Sequence, residues 1–402
     1  MTEHLTSALR LDTALPRDGT MGTLVGRAWV PGDPPGPSVV ALRGDGVYDI
    51  STSTATMSDL CNAADPVRAA AASGTNIGSI EAVLANSAHD AHDPSLPWFL
   101  APVDLQTVKA SGVTFAESLL ERVIEEQAGG DKARAENIRA RITSVIGEDL
   151  SQIEPGSESA MLLKQHLIDE GAWSQYLEVG IGPDAEVFTK ASPMSAVGTG
   201  AEVGFRSDSS WNNPEPELVL VVSASGSIVG AALGNDVNLR DIEGRSALLL
   251  GKAKDNNAAA AIGPFIRLLD ESLSLDDLRN LEIDLTLHGD DGFTLAGTSS
   301  MRSISRDIED LVAATIGRHH QYPDGVVLFT GTMFAPTQDR NLPGEGFTHK
   351  IGDVVEISCP ELGTLVNRVD HCEAVAPWTF GAGALMRNLA QRGLLGTQPP
   401  IR

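Results

Sequence analysis

The residues best suited to chemistry stand at the mouth of an apolar run, Pro214-Glu215-Pro216-Glu217 followed by Leu218-Val219-Leu220-Val221-Val222. A strand places residues i and i+2 on one face, so Glu215 and Glu217 project side by side. Two adjacent carboxylates repel each other and require a compensating cation. Pro216 between them donates no ladder hydrogen bond, which puts this end of the strand at an edge or rim. The chain turns through Ser223-Ala224-Ser225-Gly226-Ser227 and returns toward Asn235-Asp236. A hairpin centred between positions 226 and 227 sets Glu217 and Asp236 at the same level on neighbouring strands. Three converging carboxylates form a hard-oxygen site of the kind Mg²⁺ uses, with positions left for water and substrate. Solvated rim charges are the alternative reading, since acidic residues abound in this chain.

The elements that must hold these carboxylates fall into two units. Residues 1–95 read as a small N-terminal unit, with strands at 22–30 and 38–42 between PGDPPGP and RGDG turns and helices at 57–72 and 79–85. The polar, proline-bearing HDAHDPSLP at 89–97 marks a boundary, and a larger unit runs over 98–402. Within it, 116–178 has helix-favouring composition: AESLLERVIEE and DKARAENIRARITSVI each gather apolar residues on one face. From Glu186 onward, strand–turn–strand patterns dominate, with a strong hairpin signal at Asp290-Asp291-Gly292. A helix at 305–316 interrupts them. The pattern predicts a β-rich α+β protein.

Composition narrows the partners. Lys and Arg number 29 against 54 Asp and Glu, a formal net charge of −25. Such a surface repels nucleic-acid phosphates and anionic lipid headgroups, and aromatic residues at 4% leave little for base stacking. An anionic substrate would need a locally positive site, which a bound metal ion supplies. Cys61, Cys359 and Cys372 lack metal-ligand spacing and read as apolar fillers in a reducing compartment. No apolar run suits a membrane span and the N-terminus lacks a signal-peptide pattern, so a cytoplasmic setting is expected.

Beyond these features, the order of motifs resembles the fumarylacetoacetate hydrolase superfamily. The resemblance is carried by Glu-x-Glu, then Gly234-Asn235-Asp236-Val237-Asn238-Leu239-Arg240-Asp241, then Lys252-Ala253-Lys254 and Ile262-Gly263-Pro264. Leu100-Ala101-Pro102-Val103-Asp104, Ser303-Ile304-Ser305-Arg306-Asp307, Thr330-Gly331-Thr332, Gly352-Asp353-Val354-Val355-Glu356-Ile357 and Gly363-Thr364-Leu365-Val366-Asn367-Arg368-Val369 fit in the same order, covering 98–370. The resemblance implies a catalytic domain of rolled mixed β-sheets at 98–402, a helical lid or insert near 116–178, and a homo-oligomer, dimer or tetramer. It implies that Glu215, Glu217 and Asp236 hold Mg²⁺, with Mn²⁺ as the alternative ion. Lys254, ten residues before Pro264, takes the place of the family lysine. Ala185-Glu186-Val187-Phe188-Thr189-Lys190 is similar to the segment that supplies a catalytic glutamate, making Glu186 the proton-transferring candidate. Thr332 is the expected substrate-binding hydroxyl.

Within the superfamily, the short strand–turn–strand between Glu217 and Asp236 looks like that of 2-keto-3-deoxy sugar-acid dehydratases. Phe329-Thr330-Gly331-Thr332-Met333-Phe334-Ala335-Pro336 points the same way, toward 2-keto-3-deoxy-D-xylonate (a 2-dehydro-3-deoxy-D-pentonate) and its product 2-oxoglutarate semialdehyde. Dehydration of another 2-keto-3-deoxy acid, an acylpyruvate- or fumarylacetoacetate-type carbon–carbon hydrolase, and a non-catalytic metal-binding scaffold are the rivals. Hydrolases of the superfamily carry a lid histidine and glutamate after Gly-x-Asn-Tyr. Here Gly112-Val113-Thr114-Phe115 replaces that element, Ser118 stands at the histidine position and Glu121 at the glutamate position. None of the nine histidines lies between 93 and 165, so an imidazole base is missing where hydrolysis would need one. Gly198-Thr199-Gly200-Ala201-Glu202-Val203-Gly204 has one residue too many for a dinucleotide fingerprint, and His319-His320 reads as a polar turn.

Overall fold

The computed structural model describes residues 3–135, 138, 153–169, 173–332, 336–340 and 346–395. Met333, Phe334 and Ala335, and most of the second expected helix after Gly130, lie outside the described residues. The protein is α+β and strand-rich. Its larger sheet has 11 strands, running from Thr75–Gly78 through Gly46–Asp49, Gly36–Arg43, Leu24–Val30, Ala260–Leu268, Ile228–Asp236, Pro216–Val222, Val326–Phe329 and Thr107–Gly112 to Glu186–Ala191. The short strand Trp98–Leu100 pairs with Leu24–Val30 beside this path. Val326–Phe329 and Thr107–Gly112 run parallel. A second sheet of five strands joins Thr294–Ser300, Glu282–His288, Val354–Cys359, Gly363–His371 and Glu202–Phe205.

The run Leu218-Val219-Leu220-Val221-Val222 has no polar alternation because both of its faces are covered. Leu218, Leu220 and Val222 pack with Leu285, Leu287, Ile357 and Leu365 of the smaller sheet. Val219 and Val221 face the other way, against Val25, Met57, Leu60, Ile262 and Phe329. The odd-numbered face is therefore the one that carries Glu215 and Glu217. Strands from the first 95 residues extend the same sheet: Leu24 and Val25 pair with Arg267 and Ile266. Leu5, Leu9 and Leu24 share a core with Phe265, Val354 and Val366.

Local chemistry sets the boundaries. The stretch expected to be one helix over 57–72 is two, Met57–Cys61 and Pro66–Ala70. Pro66 cannot donate within a continuous helix, and Asp65 in an extended conformation caps the second one by accepting from Arg68 N. Asp307 caps helix Ile308–Thr315 in the same way, accepting from Glu309 N. The 290–292 turn joins strands Glu282–His288 and Thr294–Ser300 as expected. The central hairpin differs in register. Pro216 pairs with Asn235 and Glu217 with Gly234, so Asp236 stands level with Glu215 and donates its amide to Glu215 O at 3.0 Å. Ser223 N bonding to Ser227 O centres the turn on Ser225, and an irregularity between Val221 and Val222 adds one position. The displacement amounts to two residues, which preserves the face on which each side chain lies.

A buried ion pair ties the N-terminal strand Leu24–Val30 to the segment just before strand Thr107–Gly112. Arg27 donates to Val103 O at 2.6 Å and lies 3.8 Å from Asp104, which accepts from Met57 N at 2.7 Å and Ser58 N at 3.0 Å. Both residues are almost wholly buried. Asp104→Ala leaves a buried guanidinium without its counter-charge and the amides of Met57, Ser58 and Leu105 without their acceptor. It should lower unfolding free energy by about 3–5 kcal/mol, read as an earlier chemical-denaturation midpoint. A midpoint within error of the parent would show that Arg27 needs no counter-charge.

Candidate active site and metal centre

Six side chains expected from the sequence, Glu186, Glu215, Glu217, Asp236, Lys254 and Thr332, line one small enclosed cavity. They come from separate parts of the chain. Glu217 extends from strand Pro216–Val222 and Asp236 ends strand Ile228–Asp236, with Glu215 just outside the first. Pro216 opens its strand where the neighbour has not yet begun to pair, since contact with Val326–Phe329 starts at Val219. Lys254 closes helix Leu250–Lys254, and Glu186 opens strand Glu186–Ala191. Thr332 follows Gly331, whose amide donates to Glu217 Oε2 at 2.7 Å. Gly331 has φ +102°, and a Cβ there would overlap Thr114 Oγ1, so both backbone shape and space require glycine.

The carboxylates are not solvated rim charges: Glu215, Glu217 and Asp236 are 2%, 1% and 1% exposed. One ligand oxygen from each lies within 4.8 Å of the others. Two oxygens about 2.0–2.1 Å from one Mg²⁺ can be at most about 4.2 Å apart, so a small inward turn of the side chains would complete the set. Their counter-charges are uneven. Arg122 Nη2 lies 2.5 Å from Glu215 Oε1, and Lys254 Nζ 2.7 Å from Glu215 Oε2 and 3.2 Å from Asp236 Oδ2. Lys190 Nζ lies 2.6 Å from Asp236 Oδ1. Glu217, among the described residues, has no cation within 4 Å and a single backbone donor as its recorded partner.

Titration follows that asymmetry. Burial opposes the charge on Glu215, but Arg122 and Lys254 outweigh it and bring the group down to about 2. Burial and then the adjacent Asp236 and Glu215 push Glu217 well above the usual carboxylate range. A wholly buried carboxylate in that position needs either a proton or a multivalent cation, and the donor set is the hard-oxygen set that magnesium favours. Burial disfavours the charge on Lys254, but Asp236, Glu215 and Glu243 more than compensate and keep it an ammonium. Glu186 is pushed up to about 7, first by burial and then by Glu243, against the pull of Arg122 and Lys254. That value suits a group that both takes and returns a proton.

Five charged residues of the site, Arg122, Glu125, Lys190, Arg240 and Glu243, were not singled out from sequence. Helix Ala116–Ala128 brings in Arg122 and Glu125, joined at 2.7 Å, with Arg122 also 3.0 Å from Glu243. Arg240, quoted only as part of a motif, lies 3.2 Å from Glu125. Lys190 is fully buried and donates to Val237 O and Lys254 O. Period-two alternation from Glu186 does place Phe188 and Lys190 on its face, and that signal could have found Lys190. Ser118 falls on the same helix as Arg122, but its side chain is outside the described ones; Glu121 does not line the cavity. Val113, at the turn into that helix, has φ +48°, a strained value for a β-branched residue and one that recurs at functional sites.

Residues 165–370 match the fumarylacetoacetate (FAA) hydrolase C-terminal family, just over half of the chain. The chain belongs to the fumarylacetoacetate hydrolase family. It is 35% identical over 184 residues to the 2-dehydro-3-deoxy-D-arabinonate dehydratase of Saccharolobus solfataricus, a match spanning 46% of this chain and 58% of that protein. It is 29% identical over 332 residues to a Haloferax volcanii protein named "Probable 2-keto-3-deoxyxylonate dehydratase", covering 82% and 94% of the two chains. Its fold is similar to a solved 2-keto-3-deoxyarabinonate dehydratase, with TM-score 0.58, 23% identity and coverage of 86% and 98%. A structure of 2-keto-3-deoxy-D-arabinonate dehydratase complexed with magnesium and 2,5-dioxopentanoate is similar at TM-score 0.55 and 22% identity, covering 87% and 98%. Among the described residues, no helix of this family member is long and apolar enough to cross a membrane.

A protonated Glu217 must lose its proton before it can ligate an ion. Metal-stripped protein should therefore bind Mn²⁺ or Mg²⁺ more tightly at about pH 8 than at about pH 6, with proton release measurable by calorimetry in buffers of different ionisation enthalpy. Glu217→Gln should weaken binding by about tenfold or more. Equal affinity at both pH values without proton release would show that Glu217 is already ionised.

Proposed function

We propose that this protein is a magnesium-dependent hydro-lyase that dehydrates a 2-keto-3-deoxy pentonate, in particular 2-keto-3-deoxy-D-xylonate, to 2-oxoglutarate semialdehyde. The observation that carries the reading is one cavity holding both an under-neutralised three-carboxylate cluster and a separate glutamate poised near neutral pH. The substrate named for each dehydratase relative supports a pentonate, and the magnesium and 2,5-dioxopentanoate in the similar fold support the ion and the product.

Glu215, Glu217 and Asp236 would hold the ion. Bound magnesium would supply Lewis-acid polarisation of the 2-keto group, which acidifies the C3 hydrogens. Glu186 in its carboxylate form takes a C3 proton. The electron pair left on C3 forms the C3–C4 double bond as the C4–O bond breaks, and Glu186 returns its proton to the departing hydroxide, which leaves as water. A subsequent tautomerisation converts the C5 alcohol to an aldehyde without changing the formula. Lys254, held as an ammonium, places positive charge beside the electron-rich keto-acid head. Thr332 offers a hydroxyl to the substrate at the cavity wall. Against carbon–carbon hydrolysis, no histidine is among the described residues that line the cavity.

Purified protein should lose activity in chelator and regain it with Mg²⁺ or Mn²⁺, yielding 2,5-dioxopentanoate from 2-keto-3-deoxy-D-xylonate; release of two smaller fragments would identify a hydrolase instead. Glu186→Gln should lower kcat by ~10²–10⁴-fold with Mn²⁺ affinity nearly unchanged. Because the carboxylate is the working form, kcat/KM should rise with pH and level off above about 7, where Glu186 titrates. Wild-type kcat in Glu186→Gln would remove this residue from the reaction.

A further inference from the structure

Strand Thr107–Gly112 ends on a glycine that its backbone does not demand, since Gly112 is not among the residues with positive φ. The reason lies across the sheet. Gly112 pairs with Glu186 in antiparallel register, which puts the two on one face with side-chain roots normally about 4.5–5.5 Å apart. Glu186 does not stand straight out from the sheet. Its side chain folds back over the glycine, so that a Cβ on residue 112 would overlap Oε2 and stand 2.7 Å from Cδ. Both residues line the cavity. The Glu186 carboxyl has no hydrogen bond or ion pair among the described residues, and the pull of Arg122 and Lys254 acts on it only from a distance.

We infer that Gly112 is a positioning residue: the space of its missing Cβ is where the Glu186 carboxyl rests, and this directs that carboxyl into the cavity. The inference rests on the proton-transfer role proposed for Glu186. It extends that role to a residue that itself carries no reactive group. The nearest atoms to the added Cβ belong to the far end of one flexible side chain. A methyl group at 112 can therefore be accommodated by rotating Glu186 away, with the sheet left intact. Gly130 and Gly363 differ in this respect, because a Cβ on either would strike backbone.

The test is Gly112→Ala, alone and combined with Glu186→Gln, measured by kcat, KM, Mn²⁺ affinity by electron paramagnetic resonance, and thermal melting. Gly112→Ala should lower kcat by about 10²-fold, the usual consequence of misplacing a reacting group by about 1 Å. Mn²⁺ affinity and melting temperature should stay at parent values. In the Glu186→Gln background the added methyl should cost nothing further, because its effect acts through the carboxylate that is already gone. Parent kcat in Gly112→Ala, or an equal loss in both backgrounds, would overturn the inference. If Gly112→Ala does not fold, Gly112→Ala with Glu186→Asp is decisive, because the shorter acid withdraws from the new methyl. Folding restored in that pair supports the cradle, and failure to fold shows that the glycine serves something other than Glu186. A crippled Glu186→Gln beside an unimpaired Gly112→Ala would remove only this inference. An unimpaired Glu186→Gln would remove the proposed proton transfer itself.

Discussion

Burying a carboxylate costs several kcal/mol unless a counter-charge, hydrogen bonds or a proton meet it. This protein buries Glu125, Glu215, Glu217, Asp236 and Glu243 around one cavity and leaves Glu186 only partly covered at its wall. Against these six stand four buried cations, Arg122, Lys190, Arg240 and Lys254. The imbalance is concentrated at Glu217, which has Gly331 N but, among the described residues, no ammonium or guanidinium beside it. A divalent ion would balance the formal charges of the cluster, whereas another lysine would fill the space where substrate must go. A chain with formal charge −25 also has no general attraction for an acidic substrate. Local inversion of that field can come only from charges concentrated in the cavity, and an ion contributes two of them at one point.

The sheet architecture makes this concentration possible. Carboxylates at positions 215, 217 and 236 converge because both strands of the hairpin are covered on both sides, which fixes their register and faces. Glu186 reaches the same cavity from the far edge of the sheet, through the 107–112 strand that lies parallel to 326–329. Helix Ala116–Ala128 then supplies Arg122, which touches Glu125 on its own helix, Glu215 beside the central hairpin and Glu243 on helix Arg240–Glu243. A single guanidinium with its five donors can join three elements in this way; a lysine point charge could not hold the same geometry.

Much of this was legible in the residues. Alternation of two placed Glu215 and Glu217 on one face, and the hairpin brought Asp236 to them. The misjudged turn centre cost two positions and therefore no change of face. The long helix drawn over 57–72 failed at Pro66, where the missing amide donor and the Asp65 cap outweighed a favourable composition. Arg122, Glu125, Glu243 and Lys190 were harder for a common reason. Each is a charge inside an otherwise apolar environment, and sequence pattern assigns such charges to a solvated face. Leu119, Val123 and Ile124 surround Arg122 in sequence and are buried with it. Only the meeting of distant elements shows that the guanidinium has three carboxylates to satisfy, so its burial is a tertiary fact. Lys190 is the exception, since it shares the strand face of Glu186.

The same charge pattern bears on which reaction the cavity suits. Hydrolysis of a carbon–carbon bond needs a base to activate water and a separate means of protonating the carbon that leaves. Among the described side chains, the inward polar groups of helix Ala116–Ala128 do not offer that base. Arg122 remains a cation, and Glu125 is tied to Arg122 and Arg240. Among the described lining residues outside the three clustered carboxylates, Glu186 is brought to about 7. One such group is sufficient for the proposed elimination, because the proton taken from C3 is the proton that leaves with the C4 oxygen. The elimination releases a water and consumes none, whereas hydrolysis needs one to be bound and activated, so the lack of a second base weighs on hydrolysis alone.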